Sequence, residues 1–268
     1  MQLSECRAIL TGASGGIGLA LAAELCAGGA QVLAVARHGE ALDALRQHYP
    51  AQVRWVQADL REAGGRQRVV EAAREMGGLN LLINAAGVNR FALLEQTSEE
   101  QIAEMLELNV VATLQLTRAL LPQLRQQAHA LVVNVGSTYG SIGYPGYAVY
   151  CASKFALRGF SQALRRELAD TGVNVLYVAP RATRTTMNSS QAMALNDALK
   201  VGVDSPQRVA AAVMHAIRAN LDELYLGWPE KFFVRLNGLL PGLVDRALRK
   251  QLPVIRRFTQ PIHDKETH

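Results

Sequence analysis

Residues 7–18 restrict the fold more than any other stretch of the chain. Arg7-Ala8-Ile9-Leu10-Thr11 is a short apolar run of the kind that forms a buried strand. It breaks into Gly12-Ala13-Ser14-Gly15-Gly16-Ile17-Gly18, and a helix of small and apolar residues follows (Leu19, Ala20, Leu21, Ala22, Ala23, Leu25). Glycines between a strand and a helix permit a tight turn and let backbone N–H groups approach a pyrophosphate. The helix N-terminus then favours the negative charge. A glycine-rich turn alone is compatible with a mobile loop, but a strand before and a helix after is the context a dinucleotide site requires. The next apolar strand, Gln31–Arg37, ends in Ala36 and Arg37, with no carboxylate to take a ribose 2′-OH. A guanidinium there can bind a 2′-phosphate by charge-assisted hydrogen bonds, which favours NADP(H) over NAD. The alternative for Arg37 is a solvated cation at a strand end.

Far along the chain stand Ser137, Tyr150 and Lys154. The segment from Tyr150 reads as helix, so Tyr150 and Lys154, four residues apart, share a face. An ordinary tyrosine has a pKa of about 10. Lowering it by roughly 3 units takes about 4 kcal/mol, within reach where a lysine and a cationic ring converge in a partly dry pocket. Such a phenol exchanges a proton with a substrate oxygen near neutral pH. Taken alone, Tyr-x-x-x-Lys also occurs on ordinary helix surfaces.

Taken together, these motifs resemble the short-chain dehydrogenase/reductase family over roughly residues 5–227. Thr11, Gly12, Gly16 and Gly18 match the family's Thr-Gly-x-x-x-Gly-x-Gly, within a turn whose Ser14, Gly15 and Ile17 also belong to the expected cofactor contact. Asp59 and Leu60 match the acidic motif near the adenine, and Asn84-Ala85-Ala86-Gly87 matches the motif after the fourth strand. Asn109 matches the family's helix asparagine, and Ser137, Tyr150 and Lys154 its remaining catalytic set. Pro180 and Thr185 match the loop after the sixth strand, with Thr185 placed for the nicotinamide carboxamide or the phosphates. That loop departs from the pattern, since Arg181 stands where glycine is usual. Arginine does not take positive φ cheaply, so the backbone there is expected to differ. Arg181 or Arg184 then either meets an anionic part of the cofactor or substrate or points to solvent. The resemblance implies hydride transfer between NADP(H) and a carbonyl or secondary alcohol. Tyr150 is the proton donor, Lys154 lowers its pKa and holds the ribose, Ser137 binds the carbonyl oxygen, and Asn109 lies in a helix irregularity that holds a water linked to Lys154. A catalytically silent NADP-binding sensor on the same fold is the rival reading. A sugar-nucleotide epimerase fits less well, because those relatives carry a larger C-terminal region.

The 268 residues fit one large α/β domain, and alternating apolar strands and helices to about residue 227 argue for a doubly wound parallel sheet in three α/β/α layers, Rossmann-like. The expected division is a catalytic domain over 1–228 and an amphipathic basic extension of the same domain over 229–268. No room for a secretory signal and no long apolar span point to a cytoplasmic location. Cys6, Cys26 and Cys151 lack disulfide or metal spacing, with Cys151 read as core packing, and the six histidines do not cluster, so no metal is expected.

A formal charge of +5 with few aromatics argues against nucleic acid. Much of the excess lies in the C-terminal segment, where Lys231, Arg235, Arg246, Arg249, Lys250, Arg256 and Arg257 flank Phe232, Phe233, Leu236, Leu239, Leu240 and Leu243. Three readings stand: packing on its own or a neighbouring subunit, weak contact with an anionic membrane surface, and an apolar lid over a greasy substrate. Residues 138–144 and 88–91 are expected to line the pocket, and 186–201, with Met187, Met193, Leu195 and Leu199, to close over it. This leans toward a lipid-like or aromatic carbonyl. Ala152, Ala156, Gly159 and Ala163 allow close helix approach, and relatives use that helix to form homodimers and homotetramers.

Overall fold

A computed structural model describes residues 1–260. Seven strands form one parallel sheet: β1 (Arg7–Thr11), β2 (Gln31–Ala36), β3 (Val53–Gln57), β4 (Leu81–Asn84), β5 (Ala130–Val135), β6 (Val173–Ala179) and β7 (Glu223–Tyr225). Their order is β3-β2-β1-β4-β5-β6-β7, so the chain reverses direction of travel between β1 and β4. A crevice opens at such a reversal, outside the carboxyl ends of the strands.

The strands read as unbroken apolar runs because both faces of the sheet are covered. Ala8, Leu10, Val32, Ala34, Val133 and Val178 pack with α1 (Gly16–Ala27) and α8 (Pro206–Arg218). Their neighbours Ile9, Leu33, Leu82, Val132 and Val175 face the opposite layer, which holds α3 (Ala63–Glu75), α5 (Ala112–Leu124) and α6 (Ala148–Glu167). Two shorter helices, α2 (Asp43–His48) and α4 (Glu99–Leu106), complete the flanks. Between α4 and α5 the helix widens into a π turn at Glu107–Val111.

Past the sixth strand, α7 (Ser190–Ala198) lies within the stretch expected to cover the pocket and packs against α10 (Pro241–Thr259). Helix α9 (Glu230–Leu239) joins α10 through a tight turn at Leu240. Val234, Val244 and Ile255 are buried, so the C-terminal helices pack on their own chain. Among the described residues no helix is long and apolar enough to cross a membrane.

Candidate active site

The carboxyl ends of the strands open into one cavity of about 850 Å³. At one end it is lined by Arg37 and by Asp59 and Leu60; at its centre by Gly12, Ser14, Gly15, Gly16, Ile17 and Gly18, by Ala85, Ala86 and Gly87, and by Ser137, Tyr150 and Lys154. Pro180 and Thr185 flank the centre, and Phe233, Leu236, Val244 and Leu248 roof the far end. Two expected members stand outside the lining. Asn109 lies just behind it, and Asn84 is turned into the core.

Thr11 shows how the centre is fixed. Its hydroxyl accepts hydrogen bonds from the backbone N–H of Ala85 (3.0 Å) and Ala86 (3.1 Å), tying the end of β1 to the loop after β4. Gly12 follows at φ +66°, and a Cβ there would lie 2.7 Å from the Ala85 carbonyl oxygen, so the turn needs glycine twice over. Helix α1 begins at Gly16 with no side-chain cap on its Ncap residue Gly15. Its first N–H groups are therefore available to an anion in the cavity.

Asn84 explains its own absence from the lining. Its amide donates to Thr117 Oγ1 (3.1 Å) and Asn134 Oδ1 (2.9 Å), and Asn134 donates onward to Ser161 (2.9 Å). This buried network braces β4 and β5 against α5 and α6. The side chain of Asn84, a residue expected through the family motif at the cofactor, has a scaffolding role.

Asn109 sits at the centre of the π turn, 1 % exposed. It accepts from Val88 N–H (2.8 Å) and donates to Val88 C=O (2.9 Å) and Ser153 Oγ (3.0 Å). Ser153 in turn donates to the Tyr150 carbonyl (2.7 Å). Gly87 presses on both sides of this arrangement: a Cβ there would be 3.0 Å from Asn109 Oδ1 and 3.8 Å from Lys154 Nζ.

Lys154 is buried and donates to the Val135 carbonyl (3.0 Å), with its ammonium 5.7 Å from the Tyr150 ring centre. Burial pushes that ammonium down to about 8 and the Tyr150 phenol up to about 12, against a smaller lowering by a Ser137 hydrogen bond. The sequence reading expects a depressed phenol. The direction differs because desolvation of the hydroxyl outweighs the neighbouring groups of the chain. At neutral pH the phenol is protonated, the form that donates.

Sequence reasoning misses two positioning residues. Tyr177, fully buried in β6, donates to the Ser137 carbonyl (3.1 Å) and accepts from Ser137 N–H (3.4 Å). The available signal was a hydroxyl in the middle of an apolar strand, which must find a buried partner. Ser153, between Tyr150 and Lys154, carried no such mark.

At the end lined by Arg37, hydrogen bonding from Arg61 (2.6 Å at the closest) holds the Asp59 carboxyl below its usual range. Arg37 has no carboxylate partner among the described residues. Arg181 borders the cavity, but its charge is neither left free for an anion there nor turned to solvent. Its guanidinium pairs with Asp204 through two bonds of 3.0 Å and with Glu230 at 3.3 Å, and it is not among the residues at positive φ. The glycine position is therefore filled by a clamp that holds the loop after β6 to the starts of α8 and α9.

Of the residues expected along the pocket wall, Val88, Asn89, Thr138, Tyr139, Ile142 and Tyr144 line the cavity. Gly140, Ser141, Gly143, Arg90 and Phe91 do not: the Phe91 ring lies tilted against Tyr147 with ring centres 5.1 Å apart, and Arg90 is exposed. Asn89 Oδ1 is buried without a hydrogen-bond partner among the described residues. Cys151 is buried and its sulfur accepts from Tyr144 N–H (3.3 Å); all three cysteines are free. Among the described residues no cluster of metal-ligating side chains occurs.

Comparison with known proteins agrees with this geometry. Residues 7–196 match the family model of the short-chain dehydrogenases, and the chain belongs to that family. It is 32 % identical over 197 residues to the 3-oxoacyl-[acyl-carrier-protein] reductase FabG of Escherichia coli, spanning 73 % of this chain and 79 % of that one. Among solved structures, a short-chain dehydrogenase from Streptomyces avermitilis superposes with a TM-score of 0.78 at 31 % identity, covering 93 % of this chain and 97 % of the other. A short-chain dehydrogenase from Burkholderia cenocepacia in complex with NADP gives 0.80 at 28 %, covering 92 % and 99 %. The protein is thus an oxidoreductase of this family.

Proposed function

We propose that this protein reduces an apolar, lipid-like ketone or aldehyde with NADPH, or runs the reverse oxidation. The observation that carries the reading is the convergence of Ser137, Tyr150 and Lys154 in the cavity that also contains the glycine turn. NADP(H) fits the residues present. The uncapped start of α1 suits the pyrophosphate, the unpaired Arg37 suits a 2′-phosphate, and Asp59 and Leu60 suit the adenine. The cofactor supplies a hydride and, once oxidised, a positive ring. Lys154 holds the ribose and, with Tyr150, manages the proton. Ser137 donates to the carbonyl oxygen as charge develops there, and Tyr150 passes its proton to the same oxygen. Asn109 keeps the loop after β4 and the Tyr150 helix in register, and a water held beside it links Lys154 to solvent.

The far end of the cavity supports the substrate class. Phe233, Leu236, Val244 and Leu248 offer it no charge. That the E. coli relative is a 3-oxoacyl-[acyl-carrier-protein] reductase points the same way. Exposed Ala152, Ala156 and Gly159 beside half-exposed Phe155 suit α6 to pair with a second copy, giving a homodimer or homotetramer, and a cytoplasmic location is part of this reading.

Fluorescence titration with NADPH and NADH, followed by turnover on ketones of increasing chain length, tests it. Micromolar NADPH binding with turnover that improves with chain length is expected. Tight NADPH binding without turnover on any member would favour the silent sensor.

A further inference from the structure

The C-terminal helices have a second face that the cavity does not use. Residues 230–259 contain seven Lys or Arg against two acids, an excess equal to the +5 of the whole chain. One of those acids, Glu230, is already taken by Arg181. Arg235, Arg246, Arg249, Lys250, Arg256 and Arg257 are exposed, and none pairs with a carboxylate among the described residues.

Large apolar side chains stand exposed on the same helices and just before them. Trp228 is 69 % exposed, Phe232 51 %, and the α9–α10 turn presents Leu239 at 80 %, Leu240 at 58 % and Leu243 at 52 %. Phe232 and Leu239, seven residues apart, share one helix face. The helices are not loose: Val234, Val244 and Ile255 are buried beneath them, Asn237 donates to the Ser141 carbonyl (2.9 Å), and Tyr144 donates to Gln251 (3.1 Å). Leu243 and Phe233 are exposed and also line the cavity, so the apolar patch runs into its mouth.

We propose that the α9–α10 hairpin docks the protein on an anionic membrane surface, with the Leu239–Leu243 turn seated among the acyl chains and the cavity mouth facing the bilayer. Charge selects this occupant. A symmetric interface with a second copy would set seven cations against seven. An anionic bilayer neutralises them and accepts Trp, Phe and Leu at interface depth, as it does for other basic amphipathic helices. A lipophilic substrate would then pass from bilayer to cavity without crossing water; this last step rests on the reductase reading, whereas the docking does not.

Co-sedimentation of the full-length protein with vesicles tests the docking without any turnover. Vesicles of phosphatidylcholine containing about a quarter phosphatidylglycerol should carry the protein down, with roughly tenfold weaker partitioning onto phosphatidylcholine alone. Leu239→Glu with Leu240→Glu, and separately Arg249→Glu with Lys250→Glu, should each weaken partitioning roughly tenfold. These positions are exposed and outside the cavity lining, so both variants should keep wild-type NADPH binding and melting midpoint. Failure of the wild type to sediment with either vesicle would overturn the proposal. So would equal sedimentation of the leucine variant, or its conversion of a dimer into a monomer on sizing, which would assign the face to a second copy.

Discussion

At the cofactor end of the cavity, each functional group is held from inside the sheet. Thr11 fixes Ala85 and Ala86, Tyr177 fixes the Ser137 backbone, and Asn109 with Ser153 fixes the helix that carries Tyr150 and Lys154. At the roof, α9 and α10 are held by a few polar ties, the Arg181 clamp and three buried side chains, and large apolar residues remain exposed. The family match covers the first region and stops at residue 196, before α8, α9 and α10. Proton and hydride transfer tolerate little displacement, so the first region needs particular residues at particular spacings. Holding a greasy chain, the role proposed for the roof, requires shape and apolarity, which many sequences supply.

Substitutions can break this contrast. The largest effect is expected at Lys154. Its ammonium titrates at about 8 in the folded chain, against roughly 10.4 when unfolded. Between those values the folded chain binds fewer protons, so stability rises with pH there; at pH 7 the wild type carries the full penalty. Lys154→Met should therefore lose at least about a hundredfold in turnover while gaining about 1–3 kcal/mol in denaturant unfolding at pH 7. A variant that is inactive and also less stable would mean that the lysine supports the fold instead.

Arg37→Ala should weaken NADPH binding by about ten- to a hundredfold and leave NADH binding within about twofold, since only the 2′-phosphate loses its partner. Equal effects on both would return Arg37 to the role of a solvated cation. Tyr177→Phe removes the hydroxyl that holds Ser137 without opening a cavity. Turnover should fall about tenfold, with about 1–2 kcal/mol of stability lost as the buried Ser137 N–H loses its partner and the Ser137 carbonyl keeps only Gly140 N–H. The smallest effect belongs to the roof. Leu236→Ala should raise KM several-fold for long-chain ketones, consistent with about 1 kcal/mol of lost apolar contact, and leave short ones and NADPH unchanged. A fall in kcat for every substrate would show the roof to be as tightly coupled to the chemistry as the sheet is.

Much of the fold is legible in the sequence. Buried parallel strands are continuous apolar runs, and the strand–glycine turn–helix at residues 7–27 admits few architectures. The grouping of Ser137, Tyr150 and Lys154 was legible for the same reason: a helical repeat and a strand end set their positions. Asn84 was legible as a motif but not as a role, because the orientation of a strand-end amide depends on Thr117 and Asn134, 33 and 50 residues away. Arg181 was legible as a departure, but its partner Asp204 lies 23 residues on and nothing in the local sequence pairs them. Tyr177 and Ser153 escaped notice because each acts on a backbone carbonyl, which no motif records. The phenol's direction of shift escaped because burial depends on the whole packed site.

Tyr150→Phe tests the central claim most directly. NADPH affinity and turnover should be measured side by side on the best ketone found for the wild type. Loss of about 10²- to 10⁴-fold in turnover, with NADPH affinity within about twofold, is the result expected of a proton donor at this site. Near wild-type turnover in the variant would show that Tyr150 does not carry the proton, and the site would need another reading.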